Sequence, residues 1–102
     1  MKLAVFSVFD KAVGAYLQPF FSRTKGEAVR SFADACNKQD HQFYQHGIDY
    51  VLVSLGEFDD NSGLFVTREP VRVIGALECK IDEPFTEETK VEVEPKARRL
   101  PM

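Results

Sequence analysis

The chain has no tryptophan, only two cysteines and no long apolar run. Two cysteines cannot build the disulfide framework of a small secreted scaffold. Cys36 and Cys79 both fall on apolar-patterned segments and are expected to be buried free thiols in a reducing compartment. No stretch approaches the roughly 18 apolar residues of a membrane span. The opening residues lack the small-residue cleavage site of a secretory leader. The expectation is therefore a cytoplasmic protein with no membrane partner. An excess of positive charge is missing too: 13 Lys and Arg stand against 16 Asp and Glu, a net −3. That total argues against a classical basic nucleic-acid binder. Its distribution matters, since residues 1–80 hold nine cations against ten anions and residues 81–102 hold four against six. The body is nearly neutral, and a local basic face remains compatible with it.

Chemical signatures are equally scarce. There is no Gly-x-Ser-x-Gly, no phosphate-cradling glycine loop and no His-Glu-x-x-His. Paired acids occur only at Asp59-Asp60 and beyond residue 80. Cys36 lies on an apolar stripe, where a thiol stays inert. Cys36, Asp40, His41 and His46 form a Cys-x4-His-x4-His pattern that fits no zinc site. Asp59-Asp60-Asn61 lacks the spacing of a calcium loop and reads as a turn. His41 and His46 read as loop residues, either of which can make a pH-dependent phosphate contact. No enzyme activity, metal or cofactor is expected.

What is present suits one soluble domain: 44% hydrophobic residues, with nine Phe among the aromatics. At this length a chain buries roughly 65% of its unfolded surface, enough for one core. Lys2–Phe9 is apolar on both alternating faces and rich in β-branched and aromatic residues, which predicts a covered or central strand. Asp10–Leu17 reads as a helical turn or a short strand, ending at Pro19. Thr24 and Glu27 have capping-box spacing, and Ala28, Phe32, Ala35 and Cys36 recur at helical intervals. A helix over about Lys25–Cys36 follows, stopped by Asn37 in a left-handed conformation. Asn37–Asp49 reads as a loop with one helical turn. Tyr50–Phe58 is the second strong strand, with Gly56 marking a bulge or close approach. Asp59–Gly63 is a hairpin turn, and Leu64–Thr67 returns antiparallel until Arg68-Glu69-Pro70 breaks the run. Val71–Cys79 reads as a further strand, although Gly75–Glu78 equally suits a helical turn. The fold class is α+β, a mainly antiparallel sheet with one principal helix packed on it. Residues 1–80 are the domain. Residues 81–102, acidic and containing three prolines, are expected to be a flexible tail. Their Lys-Val-Glu-Val-Glu alternation can add an edge strand, and their basic end carries Lys96, Arg98 and Arg99.

One group of residues combines flat rings with cations: Tyr16, Phe20, Phe21, Arg23, Lys25 and Arg30, with Arg68 and Arg72 further along. Rings can stack on bases and cations can neutralise phosphates, a pairing that tolerates any base. The same residues equally suit a core edge with solvated charges.

The blocks KLAVFSVFDKAVGAYLQPFF, TKGEAVRSFADACN and HGIDYVLVSLGEFDDNSG resemble the small non-structural protein of gokushovirus-type single-stranded DNA phages (Microviridae). The most specific parts are Ala15-Tyr16-Leu17 with Pro19-Phe20-Phe21, the helix Ala28 to Asn37, and Leu55-Gly56-Glu57-Phe58-Asp59-Asp60. The likeness covers residues 1–80. It implies a DNA-binding accessory protein acting in genome replication or in the switch to single-strand synthesis and packaging. It carries no set of binding residues, so the candidate site rests on rings and charges alone.

The expected function is non-specific binding of single-stranded DNA in the cytoplasm of an infected bacterium, by a protein that is not part of the virion. Four phosphate contacts would give a log–log salt slope of about −3. Such weak contact calls for a homo-oligomer, a dimer as the first expectation. The alternative is an adaptor that engages phage capsid or phage or host replication proteins through a sheet edge and the tail.

Overall fold

A central strand needs partners on both sides, and the apolar run at the start of the chain finds them. The computed structural model describes residues 1–80. Strand β1 (Lys2–Asp10) is the hub of one antiparallel sheet. A turn at residues 11–14, closed by Gly14 at φ +76°, sends the chain back along β1. It returns as two short pieces, β2 (Ala15–Tyr16) and β3 (Phe20–Ser22). Phe9 faces Tyr16 and Val5 faces Phe21, so the register slips by one residue around Pro19. Proline has no amide hydrogen for the ladder, which is why this edge strand is broken there. The buried Ser7 hydroxyl donates to the Leu17 carbonyl at 2.6 Å and ties the break to β1.

Helix α1 (Lys25–Cys36) has the bounds its pattern predicts. The Thr24 hydroxyl accepts from the Glu27 amide at 3.1 Å. Ala28, Phe32 and Cys36 form its buried stripe. Asn37 ends the helix differently from expectation. Its φ is −108°, outside the left-handed region. The side chain performs the stop instead: Nδ2 donates to Ala33 O at 2.8 Å and to Cys79 O at 3.0 Å. A turn of helix, α2 (Gln42–Gln45), and a 3-10 turn (Gly47–Asp49) lead back to the sheet.

Strand β4 (Tyr50–Asp59) pairs with β1 on the side away from β2 and β3. Val5 faces Gly56 while Phe6 faces Ser54, so Leu55 is an extra, bulged residue. Gly56 takes φ +138°, and a Cβ there would lie 2.0 Å from the Val66 carbonyl oxygen. Only glycine permits this approach of β4 and its hairpin partner. That partner, β5 (Leu64–Gly75), is continuous, so Arg68-Glu69-Pro70 does not break it. The three residues bulge opposite Leu55, between the Ser54–Val71 and Gly56–Thr67 pairs. β5 pairs only with β4 among the described residues, and an edge strand tolerates a proline. The strand expected over Val71–Cys79 stops at Gly75, and Ala76–Cys79 form the helical turn α3.

The fold is α+β, with helices packed on one face of a curled antiparallel sheet. Phe6 and Val8 of β1 and Tyr50 and Leu52 of β4 meet Ala28, Phe32 and Cys36 of α1, with Phe43 and Ala76 closing the core. Burial of Phe6 or Leu52 contributes about 2–3 kcal/mol each. The tail expected over residues 81–102 lies outside the described residues.

Candidate nucleic-acid interface

Side chains alternate along a strand, so neighbours in β3 point to opposite faces. Phe20 stacks on Phe6, with centroids 5.9 Å apart, and packs against the core. Phe21 points the other way and is 47% exposed. Its ring meets Phe58 edge-on at 5.4 Å, and Phe65 lies 6.2 Å away. Phe58 and Phe65, a direct cross-strand pair of the β4–β5 hairpin, are 4.8 Å apart. Three rings from three strands therefore gather on the face without helices. Phe65 is 55% exposed, flanked by exposed Leu64 and Val66. Tyr16 shares that face at the far end of β1, with its ring 4.7 Å from Phe9.

The cations do not converge on one spot. Arg23 lines an open groove of about 320 Å³ together with Phe20, Phe21, Leu3, Glu27 and Ser31. Lys25 is exposed at the first position of α1. Arg30 lies two residues from both Ala28 and Phe32 of the buried stripe, so it faces solvent away from the sheet. Arg68 donates from Nη2 to the buried Ser54 hydroxyl at 2.7 Å. Arg72 is paired with Glu78. That ion pair holds the Glu78 carboxyl below its usual range, chiefly through the hydrogen bond from Arg72. Arg72 also lines a second groove with Lys11, Ile48 and Leu77. The expected set thus does not form one surface. Phe20 turns to the core, and Phe21 and Arg23 line one groove. Lys25 and Arg30 stand on α1, Arg68 and Arg72 lie along β5, and Tyr16 sits at the far end of β1.

Sequence reasoning left out Phe58, Phe65 and Lys11. The pairing of the first two depends on Asp59 facing Leu64 across the turn; the expected turn at Asp59–Gly63 would have set Phe58 opposite Leu64 instead. Lys11 carries no local signal.

The other polar residues of interest have structural work. Asp59 Oδ1 accepts from the Asn61 amide at 2.9 Å, and this bond is the main cause of its lowered pKa. Asp60 holds the N-terminal ammonium at 2.8 Å. His41 Nδ1 caps α2 by accepting from the Phe43 amide at 3.0 Å. Among the described residues no group of three or more His, Cys, Asp or Glu side chains is placed to hold a metal. Among them, too, no helix is long and apolar enough to cross a membrane.

Residues 3–79, which run from β1 through α3, match the family model described as Phage ORF5 protein. The chain belongs to the Phage ORF5 protein family. No curated protein and no solved structure matches it. The matched segment contains β2 to β5, all of β1 but Lys2, the ring cluster and both cysteines.

Proposed function

We propose that this Phage ORF5 protein is a non-structural accessory protein that binds single-stranded DNA without sequence preference. It acts by binding, with no catalytic step, in the cytoplasm of a bacterium infected by a gokushovirus-type phage. Genome replication, or the switch from replication to packaging, is the process it serves. The observation that carries the reading is the cluster of exposed Phe21 and Phe65 with half-buried Phe58, Phe21 also lining a groove with Arg23. Bases stack on such rings at about 1–3 kcal/mol each, and a single strand offers its ring faces where a duplex does not. Tyr16 on Phe9 supplies a second group of rings on the same face. With so few free cations each protomer contributes little phosphate neutralisation, and a homo-oligomer, with a dimer the simplest, raises the affinity by multivalency.

Fluorescence anisotropy with a labelled oligonucleotide at two salt concentrations tests the proposal. Binding that weakens with salt, at a slope of about −0.7 per neutralised phosphate, is the expected result. An absence of binding at low salt would sink it.

A second reading, an adaptor for phage capsid or phage or host replication proteins, is favoured by one observation. Leu64, Phe65, Val66 and Val71 of β5 are all more than half exposed. On this reading Phe65→Ser abolishes the protein partner's binding and leaves the oligonucleotide titration unchanged.

A further inference from the structure

The two cysteines, 43 positions apart in sequence, are brought to one place, where Cys79 of α3 packs on the core cluster that includes Cys36 of α1. Cys36 closes the last turn of α1 and is fully buried, whereas Cys79, in α3, is partly exposed. Side-chain hydrogen bonds already tie α3 to the end of α1 and to α2. Asn37, next to Cys36, donates its Nδ2 to the Cys79 carbonyl at 3.0 Å. Lys80, next to Cys79, donates to the Tyr44 carbonyl at 3.3 Å and sits 4.1 Å over the Tyr44 ring. Among the described residues no third metal-ligating side chain stands near the pair.

We propose that Cys36 and Cys79 are a dithiol site that a low-molecular-weight disulfide converts into an intramolecular disulfide, pinning α3 to the end of α1. Cys79 is the entry point, because it alone is accessible. Its thiolate attacks one sulfur of the small disulfide, the S–S bond breaks, and one small thiolate leaves. Cys79 then carries a mixed disulfide. Cys36 attacks the Cys79 sulfur, its proton passing to the second small thiolate, which leaves as a thiol. Two protein thiols are oxidised and one small disulfide is reduced to two thiols. Burial pushes the Cys36 thiol up to about 12 and raises Cys79 as well, while the hydrogen bond from Cys36 acts in the opposite direction on Cys79. The exchange is therefore slow near neutrality and accelerates with pH. Once formed, the bond constrains the unfolded chain across the long segment between the two positions.

The test incubates the full chain with oxidised glutathione at an alkaline pH at which circular dichroism shows it folded. Intact mass, thiol titration and thermal melting are the readouts. The expected product is a monomer with both thiols lost, a mass decrease of about 2 Da, no retained glutathione and a melting temperature raised by about 10 °C. A folded protein that keeps both thiols, a glutathione adduct that persists, an intermolecular dimer or a lowered melting temperature each overturns the proposal. In Cys36→Ser, Cys79 should retain one glutathione; a variant that takes up none overturns Cys79 as the entry thiol and the proposal with it. Neither result depends on nucleic-acid binding.

Discussion

Phe20 and Phe21 differ by one position and by almost everything else. One ring completes the face on which α1 packs; the other belongs to the face without helices. On the covered face Phe6, Val8 and Leu52 are 1%, 4% and 0% exposed. On the other face Val5 and Val53 are still buried at the middle, but toward the hairpin Phe21 and Phe65 stay half open. The same residue type thus makes stability on one side and accessible ring surface on the other. Pleat parity, rather than composition, decides which.

The comparison breaks most sharply under truncation of a core ring. Phe6→Ala should cost about 3–5 kcal/mol in urea denaturation, since it removes a fully buried ring beneath α1. A loss under about 1 kcal/mol would mean that the covered face is not the core. Gly56→Ala comes next. Its Cβ would strike the Val66 carbonyl at a backbone angle that L-residues avoid, and a loss of about 3 kcal/mol is expected from thermal melting. Phe65→Ala should behave in the opposite sense. Stability should change by less than about 1 kcal/mol, while oligonucleotide affinity falls about 5- to 150-fold in anisotropy. Equal losses in both measurements would erase the distinction between the faces. Alkaline pH probes the dryness of the covered face. Cys36 keeps its proton in the fold to about 12, against an ordinary value of 9.0. The unfolded chain releases that proton first, so this contribution is complete below pH 9 and is lost as pH rises toward 12. Denaturation midpoints at pH 8 and pH 10.5 should show the fall, and Cys36→Ala should flatten it. The smallest effect is that of Arg23→Gln, which should reduce the magnitude of the salt slope by about 0.7.

Much of the fold was legible because it is local. Thr24 and the stripe of Ala28, Phe32 and Cys36 place α1, and the β-branched and aromatic content of β1 and β4 places the two central strands. The hairpin turn announces itself through Asp59–Gly63. What escaped depends on contacts between distant residues. Pro70 reads as a breaker, yet it sits on an edge, where a bulge absorbs it. Asn37 offered a left-handed stop, but it works through a side-chain bridge to Cys79, whose position no local pattern reveals. The ring cluster is an intermediate case. Phe21 drew attention because cations surround it in sequence. Phe58 and Phe65 did not, because their meeting requires the register of β4 on β5.

The bulge at Arg68-Glu69-Pro70 has a consequence for crowded solutions. β5 is long, apolar in large part and paired on one side only among the described residues, the very geometry that invites sheets to fuse edge to edge. Midway along it stand two opposite charges and a residue with no amide hydrogen to offer, so an incoming sheet would have to bridge a gap in the ladder. Chains at high concentration should therefore settle into small discrete assemblies rather than fibres.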